Sequence, residues 1–182
     1  PVPLAMQLYR AYGTDALARV KDNPYLLSGE QYGVPFSAMD EIALSMGFDG
    51  DSPCRTEAAI TYELTHNLGN GHVFLPRNKL IAATAQLIDL PADRVEITLD
   101  ELIERKVIVQ EQVANVLACY LRRMYEAETF VAQRLLTMVK QPFETGHSVE
   151  KIIREIEVQQ GIDYAPQQRQ AVALAAHEGV LV

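Results

Sequence analysis

Two short stretches of this sequence hold residues suited to gripping a phosphate. The first is the turn-rich segment from Ser28 to Pro35, which carries Gly29 and Gly33 and leads into a helix. A glycine turn can aim backbone N–H groups outward, and the helix that follows adds its own unpaired N-terminal N–H groups. Gly33, Phe36 and Ser37 are the residues best placed for such a contact. The second stretch is Arg77-Asn78-Lys79, a small basic spot at a helix start, with Arg77 and Lys79 as its phosphate-contacting side chains. Contacts of both kinds hold a nucleic-acid backbone and read no sequence. Each has a plainer alternative. Pro35 has no N–H to donate, and Glu30, Asp40 and Glu41 surround the turn, so it could be a packing module that only shares the shape. The basic spot could be solvated surface charge.

No other chemistry is suggested. His66, His72, His147 and His177 are scattered, and none stands at metal-ligand spacing from another histidine or a cysteine. His72 fits a structural hydrogen-bonding role. Cys54 and Cys119 are too far apart to read as a disulfide framework or zinc motif, and Cys119 fits a small buried apolar residue. Glu126 and Glu128 lie two apart on an expected helix and do not share a face. Arg122 and Arg123 can pair with Glu126 or touch a neighbouring domain. No nucleophile–base set is suggested, and the phosphate-loop pattern G-x-x-x-x-G-K-[ST] is absent from the sequence. No catalytic residue, metal site or bound cofactor is therefore assigned to this chain.

Composition narrows the partners. The 182 residues are 48% hydrophobic and 22% charged, which permits sizeable cores, and the formal net charge is -8. No third of the chain is basic: residues 1–57 carry 4 basic and 8 acidic side chains, 58–110 carry 5 and 7, and 111–182 carry 7 and 9. Non-specific DNA affinity depends on neutralising phosphates with Lys and Arg, so weak or no DNA binding is expected of this chain alone. No apolar run approaches the roughly 20 residues that span a bilayer. A cytoplasmic protein with no membrane partner is expected.

The elements that must position these residues follow from caps and periodicity. Thr14 is expected to cap a helix to Asp22 with Leu17 and Val20 on one face, ended by Asn23-Pro24. Ser37 is expected to cap a second helix with Met39, Ile42, Ala43 and Met46 on one face and Gly47 after its end. Ser52-Pro53 opens a helix to Leu68, and Gly69-Asn70-Gly71 stops it. A short strand over His72–Leu75 follows, then a helix from Arg77 to Ile88 and another capped by Thr98 and running to Arg105. Val107–Val109 and Val113–Cys119 make two antiparallel strands. Helix, strand, helix, helix, strand, strand is the order of a winged helix-turn-helix domain. A long helix over Leu121–Lys140, with Met124, Ala127, Val131, Leu135 and Met138 as its apolar stripe, ends at Pro142. Ser148 caps a further helix, with Ile152, Ile153 and Ile156 inward and Gly161 closing it; Pro166 opens a last one that ends near His177, with Gly179 as its cap. The apolar tail Val180-Leu181-Val182 then calls for a sheet supplied by residues beyond this chain, so the chain reads as a piece of a longer protein.

The segment Tyr164-Ala-Pro-Gln-Gln-Arg-Gln-Ala-Val172, with Gly179-Val-Leu-Val182 after it, resembles the approach to a superfamily 1 helicase core. In that family a glutamine on a short helix reads the adenine of ATP, and a buried strand then leads into the phosphate loop. The resemblance places Gln168 in that role, with Tyr164 beside it. An amide suits adenine because it both donates and accepts. Asn23-Pro24-Tyr25-Leu26, Gly33-Val-Pro-Phe36, Asp40-Glu-Ile-Ala43, Gly71-His-Val-Phe-Leu-Pro76 and Tyr125-Glu-Ala-Glu128 together resemble, in order, the N-terminal region of RecD-like (TraA-like) ATP-dependent DNA helicases. The family's hairpin usually has glycines flanking an apolar residue, and this chain departs from it at Pro35.

The expected fold is mainly α. It has a helix-hairpin-helix module (1–52), a winged-helix-like module (53–120), connecting helices (121–160) and the start of a P-loop ATPase core (161–182), truncated before the phosphate loop. The resemblance implies an accessory region of a 5′-to-3′ DNA helicase of the recombination and repair type, positioning DNA or partners beside the motor domains. ATP and Mg would serve the parent, and repair proteins are possible partners. The alternatives are a freestanding DNA-binding regulator and a protein-interaction adapter. The acidic candidate recognition helix, with Asp100, Glu101 and Glu104, argues against sequence-specific readout.

Overall fold

A computed structural model describes residues 2–140, 148–178 and 180. The chain is mainly helical with one small antiparallel sheet, and it divides into two compact units, Pro1–Tyr125 and Glu126–Val182. Pro142, His147, Gly179 and the Leu181-Val182 part of the tail lie outside the described residues.

The first unit opens with α1 (Val2–Tyr12) and α2 (Ala16–Asp22), joined by a 3-10 turn over Gly13–Asp15. Thr14 is therefore not a helix cap. Gly13, at φ +60, reverses the chain, and Asp15 precedes α2 without a side-chain capping bond. Leu17 does not face inward but is exposed. Asn23 ends α2 in an extended conformation, and its side chain accepts from the Tyr25 N–H at 3.0 Å. A 3-10 turn (Pro24–Ser28) and the Gly29–Pro35 turn lead to α3 (Phe36–Ser45). Pro35 is the N-cap of α3, and Ser37 lies inside its first turn, because the fixed φ of proline already sets the chain for the helix. At the other end Gly47 takes φ +86, and the Gly47 and Phe48 N–H groups bond to Leu44 and Ala43 carbonyls. This is a Schellman closure, with Phe48 folded back onto the cluster that holds Ala43.

Next comes α4 (Pro53–Leu68), with Ser52 at its N-cap and Pro53 at its first position. The Ser52 hydroxyl does not cap; it lies 2.8 Å from the Cys54 thiol. β1 (Phe74–Pro76) and α5 (Arg77–Ile88) follow. α6 (Ala92–Glu104) starts six residues before Thr98, behind Pro91. Thr98 is a buried mid-helix residue whose hydroxyl donates back to the Arg94 carbonyl at 3.3 Å. Val95, Leu99 and Leu102, spaced four and three apart, are the inward stripe that carries the helix back to Pro91. β2 (Ile108–Val113) and β3 (Val116–Leu121) form a hairpin, and β3 lies between the other two in the order β1-β3-β2. Cys119 pairs with Leu75 on one side and Gln110 on the other.

Two apolar clusters stabilise this unit, and α4 serves both. Ile60 and Leu64 pack with Leu80, Val95, Leu99, Leu102, Ile108 and Cys119. Ala59, on another side of the same helix, packs with Tyr25, Phe36, Met39, Ala43 and Ile88. Arg55 clamps the second cluster. Its Nε and Nη2 donate to the two oxygens of Asp40 at 2.8 and 2.9 Å, and its Nη1 donates to the Gly50 and Ile88 carbonyls at 2.9 and 3.0 Å. The Tyr25 hydroxyl donates to Asp40 Oδ1 at 2.7 Å. Burial alone would raise the Asp40 pKa, but the bonds from Arg55 and Tyr25 outweigh it and hold the carboxyl below its usual range. Burial, and then the bond to Asp40, push the Tyr25 phenol well above its usual value.

α7 (Arg122–Lys140) starts directly after β3, and its Met124 packs on the first cluster. The rest of α7, α8 (Val149–Gln160) and α9 (Pro166–His177) make up the second unit. The α7 stripe is not buried: Val131 and Leu135 are exposed. Ser148 caps α8, accepting from the Lys151 N–H, and Gly161 closes it at φ +66. Val149 and Ile153 face inward, but Ile152 is exposed, and the third buried position is Glu157, one turn on from Ile153. Glu178 closes α9.

Removing one partner from the Arg55–Asp40 pair leaves a buried charge alone. Arg55→Ala should lower stability by about 3–5 kcal/mol in urea unfolding. Because the folded pKa of Asp40 is depressed, its contribution is present above the unfolded value of about 3.9 and is lost as pH falls through the folded one. Asp40→Asn should remove that segment from the acid limb of the stability curve. The fully buried Thr84 hydroxyl has no hydrogen-bond partner among the described residues. Thr84→Val, which keeps the shape, should raise stability by about 1 kcal/mol in the same measurement.

Candidate functional site

The turn before α3 displays a backbone surface. Gly33 is exposed at φ +67, a conformation that L side chains rarely adopt, although a Cβ there would meet open space. Its N–H donates to the Gly29 carbonyl at 3.3 Å, as does that of Tyr32 at 2.9 Å. The first intrahelical bond of α3 is Met39 N–H to the Pro35 carbonyl, so the N–H groups of Ser37 and Ala38 lack a helical acceptor. Gly33 and Ser37 thus flank one exposed corner. Phe36 does not join them. It is 4% exposed, with its ring stacked between Tyr25 at 6.0 Å and Tyr62 at 5.4 Å. The stack continues from Tyr62 to the exposed ring of His66 at 5.6 Å.

The acidic residues around the turn differ in kind. Asp40 faces Arg55 and Tyr25 in the interior. Glu30 pairs with Arg123. Glu41 is exposed on α3. Two of the three carboxylates near the corner are therefore already paired with cations, which spacing along the chain could not reveal.

The basic spot is also divided. Arg77 is held by its own unit: Nη2 lies 3.0 Å from Glu96 and 2.8 Å from Asp100, and Nη1 donates to Gln110 at 3.0 Å. Its side chain is 15% exposed. Lys79 is exposed and makes no ion pair among the described residues. Both border a cavity of about 560 Å³ lined also by Pro76, Glu96, Asn115 and Leu117. The residues that α6 turns to solvent include Glu96, Asp100, Glu101 and Glu104. Burial pushes the Cys119 thiol up to about 11, in keeping with a core residue. Among the described residues no three His, Cys, Asp or Glu side chains converge as a metal-ligand group.

In the second unit Gln168 and Tyr164 flank the start of α9. Gln168 is exposed, and its Oε1 accepts from the Ala165 N–H at 2.9 Å. Tyr164 is half-buried; its N–H donates to Glu157 Oε1 at 2.8 Å and its carbonyl accepts from Arg169 Nε at 3.2 Å. Arg169 also pairs with Glu157 at 2.8 Å. Sequence reading did not single out Glu157 or Arg169. The available signal was Glu157 standing four residues after Ile153, on the inward face of α8.

Residues 1–74 match the family model described as the ATP-dependent RecD2 DNA helicase HHH domain. The match covers 74 of the 182 residues. The match marks the N-terminal region of a RecD2-type ATP-dependent helicase. It runs from α1 through α4 to the first residue of β1, and so contains the Gly33 corner, the aromatic stack and the Arg55 clamp except for its Ile88 acceptor. Of the quoted motifs, those at 23–26, 33–36 and 40–43 fall inside it, while the motif at 71–76 runs past its end. Helix-hairpin-helix domains of helicases are consistent with DNA as a partner. No helix among the described residues is long and apolar enough to cross a membrane.

The division within the basic spot has a measurable consequence. Arg77→Ala should cost about 1–3 kcal/mol through lost charge-assisted bonds, and should leave duplex affinity unchanged in an anisotropy titration. Equal affinity loss in Arg77→Ala and Lys79→Ala, with no change in stability, would contradict this assignment.

Proposed function

We propose that this chain is the N-terminal accessory region of an ATP-dependent DNA helicase of the recombination and repair type, positioning DNA or partner proteins beside the motor domains and lacking catalysis of its own. The observation that carries this is the RecD2 helix-hairpin-helix match over residues 1–74, together with the exposed Gly33–Ser37 corner inside it. The order α4-β1-α5-α6-β2-β3, with strand order β1-β3-β2, supports a winged-helix-like module after the hairpin. Its α6 stands where a recognition helix would, but α6 exposes carboxylates and captures Arg77. That favours a structural or protein-contacting role over base readout. In the second unit, Gln168 and Tyr164 are proposed as adenine contacts of the complete ATPase. Gln168 fits this because a carbonyl oxygen has two lone pairs, and Ala165 uses one. ATP and Mg serve the complete protein in this reading, and residues of this chain are assigned to neither phosphate nor metal. The cytoplasm is the proposed location, and repair proteins are the proposed class of partner.

The test uses the purified 182-residue chain and the full-length helicase. The chain alone should show no ATPase activity above a contaminant control, and DNA binding at 50 mM salt that is lost near 150 mM. The full-length protein should show DNA-stimulated ATPase. Tight, salt-resistant duplex binding by the chain alone would favour a freestanding DNA-binding regulator. No DNA binding at any salt, in the chain or in the context of the helicase, would favour a protein-interaction adapter.

A further inference from the structure

We propose that Glu157 is a positioning residue that makes the Gln168 site select adenine over guanine. This rests on the reading of Gln168 as an adenine contact and adds to it the means by which the amide is held. Glu157 is a charged side chain with 7% exposure, a placement that has to be compensated. Its Oε1 meets both the Tyr164 N–H and the Arg169 guanidinium at 2.8 Å. Its backbone carbonyl accepts from Gly161 and, at 3.1 Å, from the Ile162 N–H. Arg169 closes the ring by donating Nε to the Tyr164 carbonyl. One residue of α8 thereby fixes the peptide on both sides of Tyr164, and with it the position of the next N–H, that of Ala165.

The Ala165 N–H is what orients the glutamine. A backbone N–H only donates, so the amide atom facing it at 2.9 Å must be the oxygen. The Nε2 group then points away from the helix start, and the amide cannot turn over without losing that bond. Adenine offers a donor at N6 beside an acceptor at N7, which match the second lone pair of Oε1 and the protons of Nε2. Guanine offers acceptors at both O6 and N7, and its O6 would face the fixed Oε1. An amide free to rotate still could not satisfy two acceptors well, but it could avoid the oxygen–oxygen contact. Discrimination therefore depends on the amide being pinned, and the pin is anchored at Glu157.

The experiment is steady-state kinetics of the full-length helicase with ATP and with GTP. In Glu157→Ala, the KM for ATP should rise about ten-fold with kcat unchanged, as for loss of uniform binding, while the KM for GTP stays within about two-fold. Glu157→Gln, which keeps an acceptor for the Tyr164 N–H, should recover most of the preference. Arg169→Ala, at a half-exposed position, carries the same test should Glu157→Ala misfold, and should lower the preference about three-fold. Parallel increases in both KM values, or an unchanged ATP preference in Glu157→Ala and Arg169→Ala while Gln168→Ala abolishes it, would overturn the proposal and leave the adenine contact standing. An unchanged preference in Gln168→Ala would instead defeat the adenine reading, and this inference with it.

Discussion

Most of the first unit depends on where one guanidinium sends its hydrogen bonds. Arg55 sits at the start of α4 and reaches Asp40 on α3, the Gly50 carbonyl in the connecting turn and the Ile88 carbonyl at the end of α5. A charge in that position is tolerable only when its donors are matched, and the planar fork of arginine suits the paired oxygens of a carboxylate. Asp40 in turn receives the Tyr25 hydroxyl, so the segment after Asn23 is drawn in as well. The aromatic stack and the Gly47 closure are built around the same cluster. Lysine could not replace this arginine, since a single ammonium cannot reach a carboxylate and two separate carbonyls in that geometry.

How legible this was in the sequence depended on what each element needed. Helices announced by proline were read well: Ser52-Pro53 opens α4, Pro76 precedes α5 and Pro166 opens α9. Side-chain caps were read less well. Thr14, Ser37 and Thr98 are all good capping types, yet each lies within a 3-10 turn or a helix, because proline or glycine geometry next to it had already set the boundary. α1 was not anticipated; its Pro3 lies in the first turn, where proline is tolerated. The α7 stripe and Ile152 showed helical spacing, which reports periodicity and not burial.

The candidate residues differ in exposure and in the partners the fold gives them. Gly33, Ser37, Lys79 and Gln168 are exposed, as a contact surface requires. Phe36 and Arg77 were selected by type, and the fold uses both internally, one as the middle of an aromatic stack and the other as the counter-ion to α6. Arg77 and Glu96 are nineteen residues apart, and Arg77 and Gln110 thirty-three. Such pairings are created by the sheet and the crossing of α5 and α6, and no local pattern encodes them. The same holds for Asp40, whose charge counts against DNA in a tally of residues but is spent on Arg55 in the folded chain.

The sharing of α4 between two clusters has a mechanical side. Ala59 faces one and Ile60 and Leu64 the other, so neither can loosen without disturbing the packing of the same rigid rod. Opening events of this kind spread as a cooperative unit and do not stop at a boundary drawn in sequence. A strain applied at the Gly33 corner would pass along α3 and Arg55 into α4, and from there to the three-stranded sheet, with little slack on the way. In mechanical terms α4 is a tie rod: it turns a local tug on the hairpin into a load carried by the whole unit.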